Sequence, residues 1–293
     1  MHIAIETPRR EEARQHLSDG GFSSELYGFV DPQKTWFCPG ADTPEHRTAS
    51  QPTKVKLRPG DAICCGRQGF LFSGSIISHG ENCEQGLTVA HAVNKGEDIE
   101  IVPEPDSQNS AKSDRSRIIG KCREKFKEFG PPPTDKMKIT ADLALLELNV
   151  ENVSVSNTVL LPYRLKMFKG KITSDVKVVI LDQGGNPQFG CIHRPRWTDA
   201  TVKFGDSVGI FDVLGIGRQN ETSDVRITEI GDSGALVMSV PDDKTDIVYV
   251  YGNVIGICHF GYGNSLTIAN KIWPVIEEIP AELIGDCKSI DYA

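Results

Sequence analysis

The chain of 293 residues has no apolar run near the roughly 18 residues that a membrane-spanning helix needs, so no stable membrane insertion is expected. Its first twenty residues have no apolar core of signal-peptide length, and Arg9, Arg10, Glu11, Glu12 and Arg14 crowd that stretch. Read as it stands, the sequence leads us to expect a cytoplasmic protein. Its eight cysteines (38, 64, 65, 83, 122, 191, 258 and 287) include no C-x-x-C pair and no regular disulfide spacing. Buried free thiols are the expectation. Neither metal nor cofactor is expected, because Cys258-His259, the nearest approach to a zinc pattern, is adjacent rather than spaced across a turn. Basic charge is in deficit, 32 residues against 40 acids for a net −8, which argues against a general nucleic-acid binder. Lys112 to Lys127 is a local exception, with seven Lys or Arg against two acids. It reads first as a solvated surface loop and second as a segment that docks an anionic membrane or an acidic partner.

What is present is ordinary for a globular protein: 39% hydrophobic and 25% charged residues, in a chain long enough for one large domain or two modest ones. Residues 1–55 stand apart. A short helical candidate, Pro8 to Leu17, ends at Asp19-Gly20-Gly21, and an aperiodic stretch from Cys38 to Pro52 follows. We read 1–55 as an amino-terminal extension and candidate regulator, 56–160 as a first barrel and 161–293 as a second. From Val55 onward, short β-type runs alternate with turn residues: Ala62–Cys65, Phe70–Ile77, Gly86–Ala90, Leu143–Leu148, Val176–Leu181, Ala235–Val240, Val254–Cys258 and Ser265–Ile268 are examples. Such a pattern favours a sandwich or barrel over α/β. Only Trp273 to Ile279 reads as a helix, with Pro274 tolerable at its start. Two segments read as loops, Pro103 to Thr140 and the Gly- and Pro-rich Asp182 to Trp197. Inside the first, Arg117 to Cys122 suits a strand, although an amphipathic helix through Phe129 fits the same residues.

Three segments carry chemistry. Gly86-Leu-Thr-Val-Ala-His91-Ala is a β-type run ending in a histidine; Ala141-Asp142-Leu-Ala-Leu-Leu puts an acid before an apolar strand; Thr228-Glu-Ile-Gly-Asp-Ser233-Gly places a serine in a Gly-flanked turn. Singly, each has a bland reading as a structural histidine, a strand cap and a tight turn. The serine segment is the most specific, because glycine on both sides points to strained or closely approached backbone. Adjacent N–H groups in such a turn can converge on one spot and hold a developing oxyanion.

Together the three blocks resemble the chymotrypsin-like, or trypsin-fold, serine protease family. Val89-Ala90-His91-Ala92 is similar to its T-A-A-H-C block, Asp142-Leu-Ala-Leu-Leu to its D-[IL]-A-L block, and Gly231-Asp-Ser-Gly234 to G-D-S-G. The order His, Asp, Ser is that of the family and differs from subtilisins and α/β-hydrolases. The resemblance implies an all-β fold of two Greek-key six-stranded barrels packed face to face, ending in a helix. It also implies catalytic residues His91, Asp142 and Ser233, an oxyanion hole from the N–H groups of Gly231 and Ser233, and a protein or peptide substrate. It spans roughly residues 60–280.

The chain departs from secreted relatives in lacking their disulfides, whose cysteines would fall near Phe72, Ala92 and Glu229. An activation sequence is also missing ahead of the barrel: Pro59 follows Arg58, and Arg117-Ile118-Ile119-Gly120 lies after His91. Asp232 occupies the position that trypsin-like members pair with a newly cut amino terminus, so activity without that switch, or under another, is implied. The pocket aspartate of trypsin falls on Ile227, which speaks against Arg or Lys at P1. Thr228, with His259 one residue later than the pattern, resembles the pocket of glutamyl endopeptidases and picornaviral proteases, which hold Glu or Gln. A small or medium apolar P1 stays open beside it. His259, Phe260 and Gly261 fall in the segment that pairs with substrate. Competing readings are a catalytically silent protease-fold binding module, an esterase on the same barrel, and a scaffold recruited through the basic run.

Overall fold

The computed structural model describes residues 3–6, 27–30, 54–78, 83–102, 118–126, 141–156, 163–204, 207–218, 225–242, 244–259, 264–279, 283 and 290–292. The helical candidate Pro8 to Leu17 and the aperiodic stretch Cys38 to Pro52 lie outside the described residues, as do 112–117 and Lys127 of the basic run. In chain order the first strands are β1 (Ile3–Glu6), β2 (Tyr27–Val30), β3 (Val55–Leu57), β4 (Ala62–Cys65), β5 (Gln68–Leu71), β6 (Ser75–Ser78), β7 (Cys83–Thr88), β8 (Asp98–Ile101), β9 (Ile118–Phe126), β10 (Leu143–Leu148) and β11 (Val153–Val155). The remainder are β12 (Arg164–Met167), β13 (Lys177–Leu181), β14 (Pro187–Phe204), β15 (Ser207–Gly217), β16 (Leu236–Ser239), β17 (Ile247–His259), β18 (Ser265–Lys271) and β19 (Ile290–Tyr292), with helix α1 (Ile272–Glu278) before the last.

Two sheets organise the molecule. The first runs β19-β6-β7-β10-β9-β8-β4-β5 and forms a half-barrel. The second runs β12-β17-β16-β13-β14-β15-β18, and a further β17–β18 pairing closes six of its strands into a barrel. Closure removes the open edges that would otherwise template association. Two parallel pairs, β1 with β2 and β3 with β11, lie apart from these sheets. The all-β, two-barrel expectation holds, and the terminal helix lies one residue from where the sequence placed it.

Burial explains the strands. In β4 buried and less buried residues alternate, as a half-covered strand requires. Leu143 to Leu146 of β10 are all fully buried, because this strand packs on both faces. One core cluster joins Leu57 of β3, Ile63, Phe70 and Ile99 of the first sheet, and Phe72 just after β5, to Trp197, Val213, Ile255, Leu266 and Ile268 of the second, so the two units share a hydrophobic seam. A second cluster fills the other side of β10, where α1, β12 and Tyr292 of β19 cover Leu87, Leu143 and Leu145. The third is the interior of the closed barrel, entered from outside by Leu71 of β5.

Two sequence expectations are corrected, and an open alternative is decided. Phe70 to Ile77 is not one strand: β5 ends at Leu71 and β6 begins at Ser75. Between them Gly74 takes a φ of 97°, and Ser73 hydrogen-bonds away from the ladder to Gly234. Asp182 to Trp197 is not a loop. Only the turn 182–186 is irregular, and β14 starts at Pro187, where a missing N–H costs no ladder bond. Pro195 sits where the β14–β15 register shifts between Arg194 and Trp197, a bulge that accommodates it. Finally, Ile118–Phe126 is strand β9, which decides for the strand over the amphipathic helix.

Candidate active site

β7 and β10 are antiparallel neighbours with Thr88 opposite Ala144. That register sets the turn following β7 beside the residue preceding β10, which brings His91 and Asp142 together from 51 positions apart. His91 lies in a single 3-10 turn, Ala90–Ala92. Its Nδ1 is 2.5 Å from Asp142 Oδ2, and its backbone N–H donates to Asp142 Oδ1 at 2.7 Å. The Asp142 side chain is 0% exposed and that of His91 12%. A buried carboxylate holding both the ring and the main chain of a histidine sets the tautomer, with the proton on Nδ1 and a lone pair on Nε2.

Asp142 is itself held from the other sheet. Asn270 of β18 donates through Nδ2 to the Asp142 carbonyl at 2.8 Å, and the Asp142 N–H points back to Asn270 Oδ1 at 3.4 Å. Asn270 also reaches Asn253 Oδ1 of β17 at 3.5 Å.

Ser233 sits in the turn that leads into β16. Gly231 and Gly234 flank it with φ of 108° and 98°, conformations that side chains rarely adopt. The turn is sewn into both units by main-chain bonds. Gly234 N–H donates to Val254 O of the closed barrel, and Leu71 N–H of the first sheet donates to Ser233 O, each at 2.8 Å. Ser73 Oγ donates to Gly234 O at 2.7 Å, and Thr88 Oγ1 donates to Leu71 O at 3.0 Å. Ser233 is therefore tied through Leu71 to Thr88, three residues before His91. A Cβ at position 234 would lie 2.0 Å from the Leu71 carbonyl oxygen, so only glycine permits this approach. Asp232, 2% exposed, braces the turn from within: its carboxylate accepts the N–H of Glu229 at 2.8 Å and that of Gln183 at 3.0 Å.

The other expected residues separate. Ile227 is buried in the closed-barrel core against Gly190. Thr228, 1% exposed, pairs Oγ1 to Oγ1 with Thr267 of β18 at 2.8 Å. Thr267 Oγ1 also accepts the N–H groups of Ile227 and Thr228 at 3.1 and 3.2 Å. His259, at the exposed end of β17, is opposite Ser265, while Ile257 is opposite Thr267. By strand alternation His259 shares the sheet face of Thr267, and Cys258 packs against the seam on the other. Phe260 and Gly261 lie outside the described residues. Sequence reading missed Thr267, Asn270, Asn253 and Gln183. Asn270 carries the faintest signal, an amide inside an otherwise apolar run.

Cys64, Cys65, Cys122, Cys191 and Cys258 are free thiols. Burial raises the pKa of each of them. Cys65 Sγ also donates to Glu97 at 2.8 Å, and that hydrogen bond holds the Glu97 carboxyl below its ordinary range. Among the described residues, no three His, Cys, Asp or Glu side chains are grouped to hold a metal ion, and no helix is long and apolar enough to cross a membrane.

No family model and no curated protein matches the chain. Solved structures do. A protease of Nocardiopsis is similar at 14% identity and a TM-score of 0.49, covering 76% of this chain and 96% of its own. Protease A of Thermobifida fusca is similar at 12% identity and 0.47, with 76% and 95% covered. A serine protease described as glutamic acid specific, with a histidine triad in substrate binding, is similar at 12% identity and 0.48, with 81% and 100% covered. The half-barrel sheet, the closed six-stranded barrel and the short terminal helix make an all-β two-barrel fold, which matches the chymotrypsin-like architecture that the three sequence blocks led us to expect.

Proposed function

We propose that the chain is a serine endopeptidase with Ser233 as nucleophile, His91 as general base and acid, and Asp142 as the orienting carboxylate. The observation that carries this reading is the buried Asp142 gripping both the Nδ1 and the backbone N–H of His91. A purely structural histidine has no need of that arrangement. Ser233 Oγ attacks the scissile carbonyl carbon while its proton passes to His91 Nε2. Asp142 stabilises the imidazolium that forms. The N–H groups of Gly231 and Ser233 receive the oxyanion, each donor worth about 3 kcal/mol in comparable sites. As the C–N bond breaks, His91 returns the proton to the leaving amine. Water, deprotonated by the same histidine, then releases the acyl group from Ser233.

Hydroxyl accounting favours one P1 class. Thr267 Oγ1 accepts two N–H groups, which occupies both its lone pairs, so its own proton goes to Thr228 Oγ1. The Thr228 proton is then left to donate onward. A P1 side chain that ends in an acceptor, the carboxylate of Glu or the carboxamide of Gln, fits that donor, with His259 as a second contact from the same sheet face.

The test is covalent labelling with a fluorophosphonate, which reacts only with an activated serine, followed by a peptide library. Labelling of the wild type that is lost in both Ser233→Ala and His91→Ala supports the triad. A folded wild type that stays unlabelled, alone and in a chain starting near Val55, means a silent binding module instead.

A further inference from the structure

Asn270 and Asn253 form a buried amide pair, 3% and 0% exposed, facing each other across the β17–β18 ladder that closes the second barrel. Neither is explained by packing. A carboxamide in an apolar wall is costly unless its donors and acceptor are met. Those of Asn270 are met by the peptide of Asp142: one Nδ2 hydrogen goes to the Asp142 carbonyl at 2.8 Å, and Oδ1 faces the Asp142 N–H at 3.4 Å. The other Nδ2 hydrogen points to Asn253 Oδ1 at 3.5 Å. Only one orientation of the amide works. Turned over, Asn270 would set oxygen against oxygen at the carbonyl and N–H against N–H at the amide. Asn253 takes its own orientation from this contact: its Oδ1 accepts from Asn270, while its buried Nδ2 has no hydrogen-bond partner among the described residues.

The contact is on the main chain of the residue whose carboxylate holds His91. Asp142 precedes β10, so the first-sheet ladder begins only after it. The paired β10 register starts at Leu143 on one side and Ala144 on the other. The Asp142 peptide is thus held by a side chain of the opposite unit, while its carboxylate holds His91.

We propose that Asn270, braced by Asn253, is a positioning residue. It stands in for a neighbouring strand at the Asp142 peptide and so aims the carboxylate at His91. The closed barrel then supplies the nucleophile and also sets the geometry of the acid carried by the other sheet, making the alignment of His91 and Asp142 depend on the fit between the two units. This inference rests on the triad reading above.

The experiment uses the full chain and two readouts. One is the far-downfield proton resonance of the His91 Nδ1–H···Asp142 hydrogen bond, observed by NMR in resting protein. The other is the fluorophosphonate labelling rate of Ser233. In Asn270→Ala the resonance is expected to disappear or broaden, with labelling slowed about 10- to 100-fold, the usual penalty for about an ångström of misplacement. Asn270→Ser retains a short donor and is expected to recover part of both. Asn253→Ala, which leaves Asn270 in place, should show a smaller loss of the same kind. If Asn270→Ala does not fold, the serine variant and Asn253→Ala decide. An unchanged resonance and rate in the folded variants would overturn the proposal. A wild type that shows the resonance but never labels would sink the triad reading while leaving the resonance test of Asn270 intact.

Discussion

The half-barrel and the closed barrel hold the proposed catalytic groups in different ways. In the half-barrel, the Asp142 carboxylate takes both the ring and the backbone N–H of His91, with β7 and β10 regular and buried near the site. Around Ser233 of the closed barrel the local shape is set by peptide groups, although the same barrel also presents the Asn270 amide and the Thr228 and Thr267 hydroxyls. Gly231 and Gly234 at positive φ, the Gly234–Val254 bond and the Asp232 carboxylate on two main-chain N–H groups shape a backbone rather than a side-chain cluster. Side-chain geometry tolerates conservative change, because rotamers adjust. Backbone geometry at a glycine does not.

The comparison can be broken first at its backbone end. Gly234→Ala puts a methyl 2.0 Å from the Leu71 oxygen, at the point where the two units are sewn together. A loss of more than about 3 kcal/mol in stability and no labelling of Ser233 are expected, measured by denaturant unfolding and by the fluorophosphonate. The side-chain end should yield a folded but slow protein. Asp142→Asn keeps the acceptor for the His91 N–H yet offers an N–H₂ group to Nδ1. The histidine then takes the other tautomer, and labelling should fall by about 10⁴-fold with the melting temperature nearly unchanged. Thr267→Val, in the closed barrel, removes the acceptor of two buried N–H groups and the donor to Thr228. A stability loss of about 1–3 kcal/mol is expected, and in a peptide library the preference for Glu or Gln over apolar P1 should drop.

The smallest effect belongs to the half-barrel core. Burial pushes the Cys122 thiol up to about 11 from an ordinary value of 9.0. Above the ordinary value the unfolded chain loses this proton while the folded one keeps it, so stability present below about pH 9 declines as pH rises toward about 11. Denaturant midpoints at these two pH values, compared with Cys122→Ala, check the sign: the pH-dependent part should shrink in the variant.

Legibility in the sequence followed another divide, local pattern against long-range contact. The blocks around His91, Asp142 and Ser233 could be read because each joins its residue to a local pattern, a strand end or a Gly-flanked turn. The break at Ser73-Gly74 and the bulge at Pro195 could not, since both answer partners far along the chain. Gly252 is similar: a Cβ there would sit 1.9 Å from the Asn270 carbonyl oxygen, and its absence lets β17 run on unbroken and seal the barrel.

By itself the sequence determined the strand-rich class, the order of the three blocks that hold His91, Asp142 and Ser233, and the need for glycine beside Ser233, because period-two burial and φ preference are local properties. Only the tertiary structure decided which groups hold those residues in place. Asn270 on the Asp142 peptide, Thr267 beneath Thr228 and Gln183 on Asp232 are contacts across 128, 39 and 49 positions. Their partners are set by how the half-barrel and the closed barrel meet, and no local pattern encodes that.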